Sequence, residues 1–498
     1  MKPGVWRGCA AVRTWAAIVA VADDAPPNAL VGSGRSRDHA RMQRNDLIRR
    51  DLCAVWHPCT QMHDHETVPL TPIARGEGAW LIDVDGRRYL DAISSWWTNL
   101  FGHAEPHIAA AIAEQARTLE QVIFAGFTHA PAMQLAERLL AVAPPGLARV
   151  FYADNGSAAV EVALKMSFHY WRNVGRGERR RFIALSGGYH GETLGALAVG
   201  DTGLYRDAYA PLLFERLLAP SPDAYTAEPG ETPEQVALRR LDDLQALLER
   251  HAGTVCAVIV EPLVQCAGQM RMYHPCYLTG LRALCDKFGV HLIADEIAVG
   301  FGRTGTLFAC EQAPPARPGG QAGITPDFLC LSKGITGGFL PFAAVLTTAD
   351  VYAAFYADYG TGKAFLHSHS YTGNPLACRA ALATLDLFGE RPVLEHNRTL
   401  AARLTGRLAP LHEHPHVGDV RQTGLIAAVE LVADKASRRP FPAHQRRGLR
   451  ARLDALSRGV VLRPLGEVIY AMPPYCTTPD QIDMIADAIA HGIEAACR

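Results

Sequence analysis

Two stretches of the sequence decide the fold: HLIADEIAVGFGRTG at residues 291–305 and FLCLSKGITGG at residues 328–338. Each stretch begins with a short apolar run and continues into a turn that contains glycine. Continuous apolar runs are typical of strands that are covered on both faces, whereas strands with one face in water alternate between apolar and polar residues. Both stretches therefore predict buried strands of a parallel sheet.

The same pattern extends along the chain on both sides. RVFYAD, RFIALSG, CAVIVEP and FAAVLTT read as further strands, and helical stretches separate most of them, at 157–171, 238–251 and 277–288. Strands that alternate with helices predict an α/β fold with a mostly parallel, doubly wound sheet. We place this large domain at residues 93–390. We expect a smaller α+β domain at 391–498, joined by the segment 42–92, in which Asp85-Gly86 marks a hairpin turn.

The first 41 residues differ in composition from the rest. Early positive charge and an Ala/Val-rich stretch faintly resemble a signal or transit segment, but Arg13 interrupts the apolar residues. We predict a flexible extension at 1–41. Our hypothesis is an over-long start assignment, with Met42 opening a more ordinary beginning.

Charge and cysteine usage exclude several classes of protein. Lys and Arg number 49 against 50 Asp and Glu, which leaves no basic excess for wholesale binding of nucleic acid. No apolar run is long enough to span a membrane. The 12 cysteines contain no CxxC pair and no cluster with zinc spacing. We expect reduced thiols, a cytoplasmic location and no metal site.

Ligands in such a sheet bind beyond the carboxyl ends of the strands, so the residues that follow each apolar run are informative. In YADNGSAAVEVALKM, at 152–166, a strand ends near Ala153 and a helix begins near Gly156 and Ser157. Free N–H groups at a helix N-terminus form a cradle for phosphate. Taken alone, an ordinary capped helix is the simpler explanation of this segment.

Asp295 follows the strand at 291–294, with Glu296 beside it. A buried carboxylate needs a cation or hydrogen-bond donors, and one such partner is the protonated nitrogen of a bound pyridine ring. Paired carboxylates also hold Mg²⁺ or serve as acid and base. Adjacent strand residues point to opposite faces, however, so these two residues are not expected to share a site.

Lys333 follows the strand at 328–331 and precedes a glycine-rich turn. Lysine is scarce in this chain, and arginine carries nearly all the positive charge. A lysine that forms a Schiff base cannot be replaced by arginine, which explains its retention here. A surface lysine at the strand end is the alternative.

Together, the phosphate cradle, Asp295 and Lys333 form a set that suits pyridoxal 5'-phosphate. The phosphate needs N–H groups, the ring nitrogen needs a carboxylate, and the aldehyde needs an amine. Tyr189, in SGGYHGETLGALAVG, is placed to stack on the ring. His190 beside it orients a group of the site or makes a structural hydrogen bond.

The sequence from about Asp51 onward resembles the class III aminotransferases of fold type I. LIADEIAVGFGRTG and LCLSKGITGG match the class signature. WHPCTQM, SSWWTNLFGH, NGSAAVEVALKM, GGYHGETLGALAV, QCAGQMRMYHP, SYTGNPLAC and IYAMPPY are similar to the branch that acts in biotin biosynthesis. The resemblance implies transfer of an amino group from S-adenosyl-L-methionine to 8-amino-7-oxononanoate, which gives 7,8-diaminononanoate.

The resemblance also implies the residues that hold the cofactor. Lys333 would be the Schiff-base lysine and proton shuttle, and Asp295 would bind the pyridine nitrogen. Ile297 and Tyr189 would pack on the two ring faces. The phosphate would lie on two residues of the helix start, Gly156 and Ser157.

Further roles implied by the resemblance concern the partner subunit and the substrate. HSHSYTGNP, at 367–375, would place Ser370, with His369 beside it, on the cofactor of the other subunit, which implies an obligate homodimer with shared active sites. Trp96 would line the substrate pocket, although core packing is an alternative. Arg463 would bind the substrate carboxylate because its fork is bidentate; a surface ion pair is the alternative.

Five positions depart from the usual pattern of the family. Cys59 stands where an aromatic residue is common, and Glu192 replaces Asp. In the segment that would reach the partner, Ser368, His369 and Ser370 replace Gly, Pro and Thr, and Ser370 keeps the hydroxyl group. We assign Cys59, Glu192, Tyr189, Lys333 and Ser368 to substrate recognition together with Trp96 and Arg463. The first two changes bear on the amino donor.

Several alternative functions stay open at this point. Lysine could replace S-adenosyl-L-methionine as donor, or the chain could be an ω-amino-acid aminotransferase of the same class. A scaffold protein that has lost activity is a rival from another class, against which Lys333 and Asp295 count. A nicotinamide-dependent dehydrogenase lacks support because the glycine-rich fingerprint is missing.

Overall fold

In a computed structural model of the chain, a seven-stranded sheet forms the centre of the fold. The structure describes residues 37–498. The strands are β1 Ile73–Glu77, β2 Trp80–Asp83, β3 Arg88–Asp91, β4 Leu147–Ala153, β5 Arg181–Leu185, β6 Leu217–Ala219, β7 Val255–Val260, β8 Val264–Gln265, β9 Arg271–Met272, β10 His291–Asp295, β11 Phe328–Leu331, β12 Ala343–Thr348, β13 Val417–Thr423, β14 Ile426–Leu431, β15 Val460–Val461 and β16 Val468–Ala471.

The helices alternate with these strands as the sequence predicts. They are α1 Arg37–Ala54, α2 Pro106–Ala116, α3 Ala130–Val142, α4 Gly156–Asn173, α5 Leu194–Val199, α6 Gly203–Arg206, α7 Pro233–His251, α8 Cys276–Phe288, α9 Ala349–Ala353, α10 Pro375–Glu390, α11 Val393–Leu408, α12 Arg447–Ser457 and α13 Pro479–Cys497. Among the described residues, none of these helices has the length and apolar character needed to cross a membrane.

The sheet has the order β4-β12-β11-β10-β7-β5-β6. Its neighbours run parallel, except that β12 is antiparallel to both β11 and β4. The prediction of a mostly parallel, doubly wound α/β sheet is therefore confirmed. All strands other than β12 consequently direct their carboxyl ends to one edge of the sheet.

Side chains of successive strand residues enter two separate cores, one on each face of the sheet. On β10, Leu292 and Ala294 join the larger core, which contains α7, α8 and α10, whereas Ile293 packs in the smaller core with α4. This alternation explains why the strands are apolar without interruption, since both faces are covered.

The C-terminal residues add a second layer of α+β structure. Strands β13, β14 and β16 form an antiparallel sheet, and α13 packs against α11 and α12. The predicted boundary at 390/391 falls at the end of α10. The domain limits 42–92, 93–390 and 391–498 themselves stay predictions.

By its contacts the chain divides into two compact units. Of the described residues, the smaller unit holds 37–76 and 81–88, and the larger unit holds 77–80 and 89–498. In the smaller unit, Arg44 of α1 pairs with Asp83 and Asp85 at 3.0 and 2.8 Å. Gly86, with φ +83°, makes the predicted turn between β2 and β3. The predicted extension at 1–41 lies largely outside the described residues, and α1 begins at its end.

Candidate active site

A cavity of about 210 Å³ lies at the edge of the sheet where the parallel strands end. Its walls come from segments that follow β4, β5, β7, β10 and β11, together with Trp97, which lies between β3 and α2. The lining residues are Trp97, Asn155, Gly156, Ser157, Tyr189, His190, Gly191, Glu261, Asp295, Ile297, Ala298 and Lys333. Residues that are far apart in the sequence meet here because parallel strands share one carboxyl edge.

The N-terminus of α4 forms one wall of the cavity. Asn155 caps the helix, since its Oδ1 accepts a hydrogen bond from the N–H of Ala158 at 3.0 Å. Ser157 Oγ accepts a hydrogen bond from the N–H of Glu192 at 3.1 Å. A Cβ on Gly156 would lie 2.9 Å from Cγ2 of Ile297, so glycine is required for this close approach. The helix start offers free N–H groups to an anion.

Asp295 ends β10 and points into the cavity as a buried carboxylate. Its Oδ2 lies 2.7 Å from Nδ1 of His190, and its Oδ1 accepts a hydrogen bond from the N–H of Ile297 at 3.1 Å. Glu296, by contrast, accepts hydrogen bonds from the backbone N–H groups of Ala309 and Cys310. The two adjacent carboxylates therefore point to different sides of the strand, and only that of Asp295 lines the cavity, as the strand geometry predicts.

Lys333 begins a 3₁₀ turn two residues after β11. Burial lowers the pKa of its ammonium group, and the negative charge of Asp295 opposes that effect. Its Nζ lies 4.9 Å from the centre of the Trp97 ring. Its backbone is left-handed, with φ +46°. An amine with a lowered pKa is suited to act as a nucleophile or a base.

Glu261 is a second buried carboxylate of the cavity, and the sequence analysis did not identify it. Its two oxygens accept hydrogen bonds from the N–H groups of Tyr189 and Cys266, each at 2.9 Å. Burial raises its pKa to about 7. The signal was present in the sequence, because Glu261 directly follows the apolar strand CAVIV, just as Asp295 follows HLIA.

A turn of four left-handed residues, Ser94–Trp97, carries the tryptophan pair. Trp97 lines the cavity, and its Nε1 donates a hydrogen bond to the hydroxyl of Tyr470 at 3.0 Å. Trp96, which the sequence analysis selected, does not line this cavity. Its ring instead lies under the guanidinium of Arg463, with 3.9 Å from Cζ to the ring centre.

Arg303 supports this turn from within the core. Although buried, it donates hydrogen bonds to the carbonyl oxygens of Trp97 at 3.2 Å, Asn99 at 2.9 Å and Pro473 at 2.9 Å. No role for Arg303 was predicted from the sequence. Its position inside GFGRTG gave no indication of the carbonyl oxygens that it contacts, since these come from distant segments.

The structure brings together Gly156, Ser157, Tyr189, Asp295, Ile297 and Lys333 from the predicted set. Glu192 lies beside them and accepts a hydrogen bond from the Tyr189 hydroxyl at 3.0 Å. Ser368, His369 and Ser370 do not line the cavity of their own chain. The carbonyl of Ser370 accepts a hydrogen bond from the side chain of Gln121 at 2.9 Å. Cys59 lies in the smaller unit, in an exposed turn, and its predicted role stays a prediction.

Comparisons with known proteins show the family to which the chain belongs. A family model for class-III aminotransferases matches residues 61–493. An adenosylmethionine-8-amino-7-oxononanoate aminotransferase from Geobacter sulfurreducens is 46% identical over 88% of this chain and 95% of its own. One of the same name from Synechococcus elongatus is also 46% identical, over 88% of this chain and 97% of its own.

Solved structures share the fold along nearly the whole chain. The adenosylmethionine-8-amino-7-oxononanoate aminotransferase of Methanocaldococcus jannaschii has a TM-score of 0.84 at 38% identity, covering 90% of this chain and 99% of its own. An omega transaminase from Pseudomonas jessenii in complex with PMP has a TM-score of 0.85 at 29% identity, covering 90% and 98%. The chain belongs to the class III aminotransferases, and it is a transaminase.

Proposed function

We propose that this chain uses pyridoxal 5'-phosphate to transfer an amino group from S-adenosyl-L-methionine to 8-amino-7-oxononanoate, the step that yields 7,8-diaminononanoate in biotin biosynthesis. The observation that carries the proposal is one cavity that contains Lys333, Asp295 and the N-terminus of α4. The choice of substrates is supported by two relatives named adenosylmethionine-8-amino-7-oxononanoate aminotransferase, each of which is 46% identical over most of both chains.

The residues of the cavity fit the proposed cofactor. The N–H groups at the start of α4 would bind the phosphate, and Gly156 leaves room that a Cβ would fill. The Asp295 carboxylate would accept a hydrogen bond from the protonated ring nitrogen, while Ile297 and Tyr189 would enclose the ring. Pyridoxal phosphate supplies an electron sink and carries the amino group between the two substrates.

Lys333 would move the proton during the reaction. Burial lowers the pKa of its ammonium group, which favours the neutral amine, and Nζ would accept a proton from the donor carbon. His190 would hold the Asp295 carboxylate in position through their 2.7 Å contact. Trp97 lies beside Nζ, where its ring would reduce the access of water.

Arg463 is the proposed anchor for the carboxylate of the amino acceptor. Its guanidinium is held over the ring of Trp96, which leaves its in-plane N–H groups able to make a bidentate pair. Glu192, in contact with the Tyr189 hydroxyl, would face the amino donor. A carboxylate there would favour a cationic donor, in keeping with S-adenosyl-L-methionine or lysine.

A homodimer with shared active sites is part of the proposal. Large apolar side chains are exposed around the segment that would contact the partner's cofactor, with Leu366 90%, Tyr371 65%, Phe127 63% and Ile123 61% exposed. Exposed apolar side chains grouped in this way mark interaction surfaces.

We also propose a cytoplasmic location, since the free cysteines in the described part of the chain are consistent with reducing conditions.

The test is a product assay with the purified protein and added pyridoxal phosphate. S-Adenosyl-L-methionine and lysine are supplied separately with 8-amino-7-oxononanoate, and 7,8-diaminononanoate is measured by mass spectrometry. We expect product with the first donor and none with Lys333→Ala. Product formed only with lysine would identify lysine, and not S-adenosyl-L-methionine, as the amino donor. Transfer from ω-amino acids to pyruvate without any diamine would overturn the proposal in favour of an ω-transaminase.

A mixing experiment tests the shared sites. Lys333→Ala and Ser370→Asp are each expected to be inactive, the second because its carboxylate repels phosphate. If Ser370 acts on the partner's cofactor, a mixed dimer has one intact site and activity returns on mixing. Loss in both variants without recovery, once mass spectrometry has shown exchanged dimers, would place Ser370 on its own subunit's site.

A further inference from the structure

Away from the proposed active site, a carboxylate, an imidazole and a thiol converge on one point of the larger unit. Glu234, His274 and Cys276 each offer a ligand atom, and these atoms lie within 4.8 Å of one another. His274 and Cys276 are half-buried, whereas Glu234 is exposed. Neither the proposed reaction nor the resemblance to the family gives this cluster a role.

The packing of two helices creates the cluster. Glu234 lies in the first turn of α7, and Cys276 is the first residue of α8, which packs against α7. His274 precedes α8 by two residues, and its Nδ1 accepts a hydrogen bond from the N–H of Cys276 at 3.3 Å. This bond holds the imidazole beside the thiol. The three donors are therefore positioned by backbone elements of the fold.

The donor set is that of a zinc site. Thiolate, imidazole and carboxylate are the three protein ligands of Zn²⁺, and donors around a tetrahedral ion lie about 3.5 Å apart. A separation within 4.8 Å therefore requires only a small movement of side chains. A thiol and an imidazole exclude Mg²⁺ and Ca²⁺, which take oxygen ligands.

We propose that Glu234, His274 and Cys276 bind one Zn²⁺ ion, with water in the fourth position. Binding forms a Zn–S bond and releases the thiol proton of Cys276 to the solvent. The carboxylate binds without loss of a proton, and the neutral imidazole binds through Nδ1, which gives up its hydrogen bond from the Cys276 N–H while the ring keeps its proton on Nε2.

Such an ion would connect the beginnings of α7 and α8. The segment that leads into α8 starts at β9, which pairs with β8, and Cys266, next to β8, contacts the Glu261 carboxylate of the cavity. Zinc would thus stabilise the loop that supports one wall of the proposed active site. The sequence predicted no metal site because its cysteines and histidines lack zinc spacing, and Glu234 is distant in the chain from the other two ligands.

The experiment uses the protein loaded with pyridoxal phosphate and freed of metal. A chromophoric chelator competes with it for Zn²⁺. We expect one ion per chain, and at least ~10-fold weaker binding in both Cys276→Ser and His274→Ala. Cys53→Ser is the matched control, since Cys53 is an exposed cysteine of α1 outside the cluster. Cobalt in place of zinc should give thiolate-to-metal absorption that Cys276→Ser abolishes.

Binding that is unchanged in Cys276→Ser and His274→Ala would overturn the proposal, as would cobalt spectra without a thiolate band. Circular dichroism of the metal-free variants checks that they fold. If Cys276→Ser is unstable, His274→Ala and Glu234→Gln provide the same comparison. The zinc site does not rest on the proposed function, so these results leave the aminotransferase assay unaffected.

Discussion

The Nδ1 atom of His190 lies 2.7 Å from the Oδ2 atom of Asp295, and both side chains are buried. Asp295 comes from the end of β10, and His190 comes from the loop that follows β5. The contact therefore fixes the carboxylate from outside its own strand. The other oxygen of Asp295 is held by the backbone of Ile297, so the carboxylate has little freedom to rotate within the cavity.

Loss of this contact should slow the reaction. We expect His190→Ala to lower kcat by ~10–100-fold, the range for a hydrogen bond to a charged group, while KM for either substrate changes little. Steady-state kinetics across pH provide the measurement, and His190→Asn should recover part of the rate. His491→Ala, on the exposed side of α13, is the control. A rate for His190→Ala equal to that of this control would remove His190 from the positioning of Asp295.

Replacing Lys333 should abolish turnover without unfolding the protein. We expect Lys333→Ala to lose at least ~10³-fold in kcat, since Lys333 is the one lysine among the described residues that line the cavity. Circular dichroism should be unchanged, because removal of a half-buried charge relieves its desolvation. Lys287→Ala, which removes an exposed lysine at the end of α8, serves as control. Normal turnover in Lys333→Ala would refute the assignment.

The cradle at the start of α4 should be sensitive to a single methyl group. A Cβ on Gly156 would lie 2.9 Å from Ile297, so Gly156→Ala should displace that side chain and weaken binding of pyridoxal phosphate. We expect a rise of ~10-fold or more in Kd, on the scale of overpacking in a tight site, measured by fluorescence titration. Gly406→Ala, in α11 with open space around it, should have no effect. Equal affinities in the two variants would place the phosphate elsewhere.

Arg463 should act on binding of the amino acceptor. We expect Arg463→Ala to raise KM for 8-amino-7-oxononanoate by ~10–100-fold, since it removes a charge-assisted hydrogen bond, with a smaller effect on KM for the donor. Arg458→Ala is the matched control because that side chain pairs with Asp454 at the surface. An unchanged KM for the acceptor would move the carboxylate site to another residue.

His291 should make the fold sensitive to mild acid. Burial lowers its pKa from 6.5 to about 4, and its ring packs against Trp171, Tyr170 and Phe328 with a 2.9 Å contact to Ser167. Nearby Asp327 favours protonation, whereas Arg179 and Arg282 oppose it. The unfolded chain binds the proton first, so stability falls as pH drops from about 6.5 towards 4, by up to about 3 kcal/mol.

Urea denaturation between pH 7.5 and 4 measures this loss. His291→Phe should be less stable at neutral pH but should show a shallower decline with falling pH, because the titrating group is gone. A decline as steep as that of the wild type would assign the acid sensitivity to other groups.

In a parallel sheet, ligand-binding residues follow the buried strands. The sequence predicted the site residues to which this rule applies. Asp295, Lys333, Gly156 and Tyr189 were found in this way, and all line one cavity. Glu261 obeys the same rule, since it follows β7, but it lies outside the two signature stretches.

Two other features could not be read from the sequence. Which tryptophan of the pair faces Lys333 depends on the left-handed turn at Ser94–Trp97, a conformation that Ser and Trp do not favour. The contacts of Arg303 depend on three carbonyl oxygens from distant segments. Both are properties of tertiary packing, which overrides local preference.

The antiparallel strand β12 also sets an order of events during synthesis on the ribosome. Strand β4 lies at one edge of the sheet, and its neighbour there is β12, which is translated much later. At ~5–20 residues per second, the nascent chain waits on the order of ten seconds or more before β4 can dock. The start of α4 directly follows β4, so the emerging polypeptide cannot assemble its anion cradle until residue 348 has left the exit tunnel. Cofactor loading is thereby delayed until most of the chain has been made.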